Sequence, residues 1–499
     1  MGGNEDAPKS TNDILDGLSP PVNIGLIQGE RDFSGNGLAY RMVAHFFRTS
    51  HRAMSSRINA STSRAEQKAQ GAAIPMAATA SIVDSRKGIA AAVAGNALEL
   101  FDFLTYAFFA TYIGKAFFPS SSPLTSLLLA LAAFGVGFAS RPIGAILMGA
   151  YADRAGRKPA LLLSMGLITV STLGLALTPS FESIGIAAPV IVVICRLFQG
   201  LAYGGEFGPT SSFLIEIAPS DRRGFYSSWQ FASQGLASIA AGGFGIALAI
   251  LLSPAELETW GWRVPFAFAL LMLPIAAFLR KDMPETLNQK RRADIGGAAP
   301  KLRDYAGYLC IFLLLILGGT VSTYVGSYMT TYSIVVLKLS PIAAMSSAVA
   351  VGFSTLVFSL LGGWLSDRYG RKPTMLIPRI LSALVAYPAF MFLIEQRTTL
   401  ALLGVSATLA ALNSISNAAA LATILELLPR SLRALGSSIS YAVGVALFGG
   451  TTQFVVTWLI SATGDPSAPA WYIAISSAIA AVAMLALPGS RDSDLWADS

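Results

Sequence analysis

The stretch GAYADRAGRK at residues 149–158 recurs 214 positions later as GWLSDRYGRK at residues 363–372. Each copy follows an apolar run and ends in a cluster of basic residues. A second pair of segments has nearly the same spacing, because EIAP at 216–219 is matched by ELLP at 426–429, 210 positions further on. Two pairs of similar segments at nearly the same offset indicate two structural units of like topology.

Apolar stretches near twenty residues long surround these segments, separated by short charged or Pro/Gly turns, which is typical of transmembrane helices. The composition agrees, since 54% of the residues are hydrophobic and 13% are charged, against about 25% charged residues in soluble proteins. We predict an all-α membrane protein with twelve transmembrane helices in two pseudo-symmetric six-helix halves. The predicted spans are 88–114, 124–150, 159–178, 187–213, 227–252, 264–280, 304–333, 341–365, 373–394, 399–424, 435–461 and 468–488.

The loops predict the orientation of the chain, because cytoplasmic loops gather Lys and Arg. Seventeen basic residues fall in the loops that join even to odd helices and four in the other loops. Both termini are therefore predicted to be cytoplasmic. The predicted parts are a tail at 1–86, a six-helix half at 87–280, a cytoplasmic linker at 281–303, a second half at 304–488 and a short tail at 489–499.

The first 87 positions, which are the predicted tail and one residue beyond it, hold 18 of the 63 charged residues. Such a polar segment is typical of a disordered tail, and a start codon placed upstream of Met76 would also explain it. A basic membrane-surface segment or a targeting stretch at 41–68 is the alternative.

Cysteine and histidine usage excludes several kinds of chemistry. Cys195 and Cys310 both lie in apolar runs, so neither a disulfide framework nor a metal cluster is predicted. His45 and His51 lie in the tail, which leaves the body without imidazole for catalysis. The net charge of +7 is too small to indicate nucleic-acid binding. We expect no enzyme activity, no metal and no cofactor.

Charged side chains inside predicted transmembrane helices are candidate functional groups, because an unpaired charge is costly there. Arg196 begins the apolar part of the fourth helix, and its guanidinium can form bidentate bonds to the carboxylate of an anion. Pairing with a neighbouring carboxylate explains Arg196 equally well. Arg141 is the second candidate, although an arginine before Pro142 can instead brace the packing of the second helix.

Three acidic residues are candidates for proton coupling. Glu99 and Asp102 are three positions apart and therefore share one face of the first helix. Two carboxyl groups in a dry site tend to share one proton, because desolvation and mutual repulsion disfavour two negative charges. Glu206 follows two glycines in the fourth helix and is the third candidate. The alternative is that Asp102 or Glu206 only neutralises one of the arginines.

Neutral polar residues at helical spacing predict the rest of a substrate pocket, on the fifth, seventh and tenth helices. Packing between helices is the alternative role of each set and the commoner one for a single residue. The candidates are Gln230 and Gln234, then Tyr324, Tyr328 and Tyr332, and finally Asn413 and Asn417.

The paired G-x-x-x-D-R-x-G-R-K loops resemble the signature of the major facilitator superfamily. Further motifs resemble the metabolite:proton symporter family within it: GNALELFDF at 95–103, RPIG at 141–144, RLFQG at 196–200, GGE at 204–206 and WGWRVPF at 260–266. The chain is most similar to the citrate:proton symporter branch. The segments that carry this likeness are ATYIGKAFFP at 110–119, GFYSSWQFASQ at 224–234 and FGGTT at 448–452, with Gly464-Asp465 downstream.

The resemblance implies a proton-coupled symporter of the inner membrane that imports a small organic anion, such as citrate or a related di- or tricarboxylate, by alternating access. The proton gradient would drive it, and a monomer in the lipid bilayer would suffice. The resemblance also implies a cytoplasmic gate, formed by Asp153, Arg154, Gly156 and Arg157 in the first loop and by Asp367, Arg368, Gly370 and Arg371 in the second. A symporter for a zwitterionic osmolyte or an aromatic acid, or an anion exchanger, remains the alternative.

Overall fold

A computed structural model describes residues 85–155, 157–271, 305–428 and 430–487. The predicted linker at 281–303 and nearly all of the two predicted tails lie outside these residues. The described part is helical and contains no β-strand, which confirms the predicted all-α class.

Twelve helical segments follow one another along the described part, and each of the twelve predicted spans overlaps one of them. Helix α1 has two pieces, Ser85–Phe108 and Ala110–Phe117, and α6 is described only as far as Leu271. The other segments are α2 (Pro123–Tyr151), α3 (Arg157–Leu177), α4 (Ala187–Glu216), α5 (Arg223–Leu251), α6 (Gly261–Leu271), α7 (Ala306–Val335), α8 (Pro341–Tyr369), α9 (Arg371–Gln396), α10 (Thr399–Leu427), α11 (Leu435–Thr463) and α12 (Ala468–Leu485).

Nine of these segments in the described part are long and apolar enough to cross a membrane, and α1, α3 and α6 are the remaining three. Helices α2 and α4 are also interrupted, at positions where the sequence weakens the backbone hydrogen bonds of the helix. Helix α2 breaks at Ser140, just before Pro142, because proline lacks the N–H that these bonds need. Helix α4 breaks between Gly204 and Phe207. Arg141 directly follows the first break, Glu206 lies within the second, and both line a pocket of the bundle.

Two seams of glycine join the N-terminal helices to the C-terminal ones. In the first seam α5 packs on α8, where a Cβ on Gly235 would lie 2.6 Å from the carbonyl oxygen of Gly352. In the second seam α2 packs on α11, where a Cβ on Gly135 would lie 2.6 Å from the carbonyl oxygen of Gly450. Because α2 and α8, and α5 and α11, hold equivalent places in the sequence repeat, the two seams are equivalent. Small residues at both let the backbones approach closely.

The first seam generates a test of this packing. We expect Gly235→Val to lower the melting temperature of the purified protein in detergent by several degrees, because overpacking costs about 1–3 kcal/mol. Gly243→Val is the matched control on the same helix, since a Cβ on Gly243 meets no atom within 4 Å. Equal melting temperatures for the two variants would contradict the close approach of α5 and α8.

Candidate functional site

A central cavity lies where the N-terminal and C-terminal helices meet. It consists of three adjoining pockets, all of them lined by Phe231 and Gln234 of α5. The largest of the three has about 600 Å³ of space between its lining atoms, part of it open to solvent. The walls come from α1, α2, α4 and α5 on one side and mainly from α7, α10 and α11 on the other.

The charged residues that line these pockets all come from the N-terminal helices. Arg141, Glu99 and Glu206 border the same pocket, together with Gln230 and Tyr324. All five are predicted site residues, and the structure brings them to one pocket, four from the N-terminal helices and Tyr324 from α7. A cation and two carboxyl groups at one cavity can bind an anion and a proton.

The guanidinium of Arg141 is held mainly by aromatic rings. Its central carbon lies 4.2 Å from the ring centre of Phe138, 4.7 Å from that of Phe103 and 5.4 Å from that of Tyr203. Such cation–π contacts stabilise the charge without using its N–H donors. Among the described residues no acceptor bonds to Nε or Nη2 of Arg141, although the side chain is only 5% exposed. Two buried donors without an acceptor therefore lie next to the pocket that Arg141 lines.

Arg196 lies deeper than the sequence predicted. Its side chain is fully buried and borders none of the three pockets, because the rings of Phe103, Tyr106 and Phe134 surround its guanidinium at 4.4–5.2 Å. Nη1 of Arg196 donates to the side-chain oxygen of Gln199.

The same Gln199 links Arg196 to the first helix. Its amide nitrogen donates to Oδ2 of Asp102, so a buried relay runs from Arg196 through Gln199 to Asp102. Sequence reasoning did not single out Gln199, although it stands in the RLFQG segment three positions after the arginine and so on the same helical face. The relay agrees with the alternative in which the arginine and a carboxylate balance each other.

Sequence reasoning also missed a buried cation in the C-terminal helices. Arg379 of α9 is fully buried, and it donates to Oδ1 of Asn413 (3.0 Å) and to Oδ1 of Asn417 (2.7 Å). It follows Pro378 inside the predicted ninth span, so the test of charge within an apolar run would have found it. Asn413 and Asn417, two of the predicted substrate-binding residues, both line the cavity.

The predicted tyrosine ladder of α7 divides between the cavity and the packed interior. Only Tyr324 lines the pockets, where its ring also packs edge-on against Phe138. The hydroxyl of Tyr328 accepts from Thr457, and that of Tyr332 donates to the carbonyl oxygen of Pro466. Tyr328 and Tyr332 belong to an apolar cluster, so they take the packing role that was the alternative.

The two glutamines of α5 have different surroundings: Gln230 contacts α1, and Gln234 faces the cavity. Asn96 of α1 donates to the hydroxyl of Ser233 (2.6 Å), and the amide of Gln230 donates to Asn96 (3.4 Å), which ties α5 to α1 beside the cavity. Gln234 is half-buried and faces all three pockets.

The second of the repeated loops joins the two sets of helices at one end of the bundle. Asp367 at the end of α8 accepts the backbone N–H groups of Gly224 (2.7 Å) and Phe225 (2.8 Å) in the first turn of α5. A carboxylate there satisfies two unpaired donors and complements the helix dipole. Arg371 binds the same carboxylate at 2.7 Å and continues to Glu426 of α10 at 2.8 Å.

The structure describes some of the other predicted gate residues and leaves the rest outside its described part. Arg368 is exposed, with its guanidinium 5.4 Å from the Trp364 ring, and Gly370 has a positive φ of 96° at the turn into α9. In the first loop Arg154 is exposed. Gly156 and the side chains of Asp153 and Arg157 lie outside what the structure describes.

The sequence matches the Major Facilitator Superfamily profile over residues 89–357 and 344–497. The chain belongs to the major facilitator superfamily, as its loops indicated. It is therefore a multi-pass membrane transporter and not an enzyme.

Curated relatives fall in the part of the superfamily that the motifs indicated. The citrate-proton symporter of Klebsiella pneumoniae is 35% identical over 83% of this chain and 95% of its own length. The alpha-ketoglutarate permease of Escherichia coli K12 is 33% identical over 81% of this chain and 94% of its own length. The proline/betaine transporter of the same organism is 30% identical over 79% and 81%.

The fold also matches a solved transporter. The xylose transporter XylE of E. coli superimposes with a TM-score of 0.66 at 17% identity, over 81% of this chain and 98% of that protein. At this identity the match shows the fold alone.

Loss of the Asp367 carboxylate is expected to open this end of the bundle. Each hydrogen bond to a charged group contributes about 1.5–3 kcal/mol, so Asp367→Ala should shift a nearly balanced equilibrium by about tenfold or more. For the measurement, a cysteine replaces Ala420, which lines the largest pocket. A membrane-impermeant thiol reagent is applied at this end of the bundle, and the rate at which it labels the cysteine is recorded. Asp221→Ala, at an exposed acid just before α5, is the control. Equal labelling rates for the two variants would contradict the idea that the Asp367 bonds to Gly224 and Phe225, here called the latch, hold this end closed.

Proposed function

We propose that this chain is a proton-coupled symporter that imports citrate or a related di- or tricarboxylate across the inner membrane by alternating access. Both termini would lie in the cytoplasm, a monomer in the lipid bilayer would suffice, and the proton gradient would drive transport without a cofactor. The observation that carries the proposal is the shared wall of Arg141, Glu99 and Glu206 at the central cavity. The citrate-proton symporter relative supports the choice of anion.

Arg141 binds a carboxylate of the substrate in this account. Its Nε and Nη2 groups have no acceptor among the described residues, and a guanidinium presents such donors in a fork that matches a carboxylate. Phe138, Phe103 and Tyr203 hold the group in place before substrate arrives. Because the fork is already oriented, little conformational entropy is lost on binding.

The two glutamates couple that binding to a proton. Each proton taken up by Glu99 or Glu206 removes one negative charge from the wall that they share with Arg141, so it makes that wall more attractive to an anion. Anion and proton therefore favour each other's binding, which is the reciprocal linkage that symport requires.

Asp102 and Arg196 act from behind this wall. Gln199 connects the positive charge of Arg196 to the negative charge of Asp102 through two hydrogen bonds. A proton taken up by Asp102 would remove that negative charge, so Arg196 could form other hydrogen bonds. Arg196 and Asp102 thus influence the charge of the Arg141, Glu99 and Glu206 wall from within the N-terminal helices. Arg141 makes the direct contact with substrate.

Rocking of the two sets of helices exposes the cavity to each side in turn. The equivalent glycine seams of α5 with α8 and of α2 with α11 give surfaces along which the helices can roll. The Asp367 bonds to α5 hold one end closed until substrate and proton are bound.

A symporter for a zwitterion is the second candidate, since a wall with both a guanidinium and carboxyl groups can bind both ends of such a molecule. The proline/betaine transporter relative favours this reading. An aromatic acid as substrate, or an exchange of anions, would use the same wall.

Uptake of radiolabelled citrate tests the proposal in cells that lack their own carriers and express the full chain. We expect accumulation that a protonophore abolishes. Uptake of glycine betaine in place of any carboxylate would favour the second candidate, and citrate accumulation that survives complete collapse of the proton gradient would refute proton coupling.

A substitution at Arg141 tests the anion contact. Arg141→Gln should raise the KM for citrate by about tenfold or more, because a hydrogen-bonded charge pair in a desolvated site is worth about 1.5–3 kcal/mol. Arg263→Gln is the control, since Arg263 donates to the backbone oxygens of Thr259 and Thr178 away from the cavity. An unchanged KM in the folded Arg141 variant would remove Arg141 from the site.

A further inference from the structure

A fully buried guanidinium stands behind the C-terminal wall of the cavity and has no acidic partner there. Arg379 donates to the backbone oxygen of Gly318 (2.9 Å) and to the side-chain oxygens of Asn413 and Asn417. Among the described residues it forms no ion pair. A charge held in a membrane bundle by neutral groups alone marks a functional site, because a bound anion can complete its environment.

The charge of Arg379 fixes the orientation of the two asparagine amides. Each Oδ1 accepts from the guanidinium, so each Nδ2 must point elsewhere. In Asn413 that nitrogen is already used, since it donates to the hydroxyl of Thr323 (2.9 Å) and to the backbone oxygen of Gly319 (3.3 Å).

Asn417 differs from Asn413 in this respect. No described residue accepts from its Nδ2, the side chain is half-buried, and it lines two of the three pockets. Gly319 of α7 makes room for the amide, because a Cβ there would collide with Oδ1 of Asn417 and lie 3.2 Å from its Nδ2. Asn417 thus presents a donor, backed by a positive charge, to the cavity.

We propose that Arg379, acting through Asn417, makes the C-terminal wall a second carboxylate site, so that the transporter selects substrates with at least two carboxylates. One carboxylate binds Arg141 on the N-terminal wall, and another binds Asn417, which lines the two adjoining pockets. The inference rests on the proposed function and names the residues that would select di- and tricarboxylates over monocarboxylates. Arg379 is a positioning residue, since Asn417 alone meets the substrate. A substrate that bridges both walls also ties its own binding to the closure of the two sets of helices around it.

Asn417→Asp is the sharpest test, because the new carboxylate keeps the shape of the amide and pairs with Arg379. Folding should be retained, while the donor is lost and a negative charge faces the cavity. In cells expressing the full chain we expect the KM for citrate, and the inhibition constant of succinate against citrate uptake, to rise by about tenfold or more. The inhibition constant of acetate, which needs only Arg141, should change little.

Arg379→Lys is the second variant, since lysine keeps the charge without the planar fork that bridges two amides. It should also reduce the discrimination between succinate and acetate. Arg263 donates to backbone oxygens and lies over the rings of Phe117 and Trp262, outside the cavity. Arg263→Gln should therefore leave the inhibition constants of succinate and acetate unchanged.

The outcomes separate the two proposals. Citrate uptake by folded Asn417→Asp with an unchanged KM and unchanged discrimination between succinate and acetate would overturn the second carboxylate site and leave the proposed function standing. Failure of the natural chain to take up citrate or to be inhibited by any carboxylate would overturn both.

Discussion

The centre of this protein depends on one constraint: a guanidinium taken out of water needs acceptors, aromatic faces or an anion. Three arginines meet this need in three ways. Arg196 is enclosed by rings and tied through Gln199 to the carboxylate of Asp102. Arg379 is held by neutral oxygens of α7 and α10. Arg141 rests on aromatic faces and keeps two donors beside the cavity. Arg196 is linked to a carboxylate within the protein, Arg141 shares its pocket with Glu99 and Glu206, and Arg379 forms no ion pair among the described residues.

The same constraint connects binding to movement. The charges of Arg141, Glu99 and Glu206 belong to the N-terminal helices, whereas Arg379 and its asparagines belong to the C-terminal ones. An anion between the walls is attracted to both and so favours their approach. The glycine seams permit that approach because they lack side chains that would resist sliding. The carboxylate of Asp367 at the start of α5 adds a contact that must break when the opposite movement occurs. Substrate and latch therefore bias the same two-state element.

Much of this arrangement was predictable from the sequence. The repeated loops and apolar spans predicted the fold, because both depend on local composition and spacing. Helical periodicity placed Tyr324, Tyr328 and Tyr332 on one face, but it does not show where along that face the cavity ends and the apolar cluster begins. The enclosure of Arg196 could not be foreseen, since its rings come from α1 and α2 and meet only in the folded bundle. Arg379 was missed although its signal, a charge within an apolar run, was present.

The central claim is that one transport cycle moves an anion and protons together through the cavity. The most direct measurement uses the purified chain in liposomes that hold a pH-sensitive dye, with the membrane potential clamped at zero. An inward citrate gradient should then acidify the interior at equal pH on both sides, and the same gradient should acidify it far less with Glu206→Gln. Citrate entry without any movement of protons in the natural chain would contradict the account.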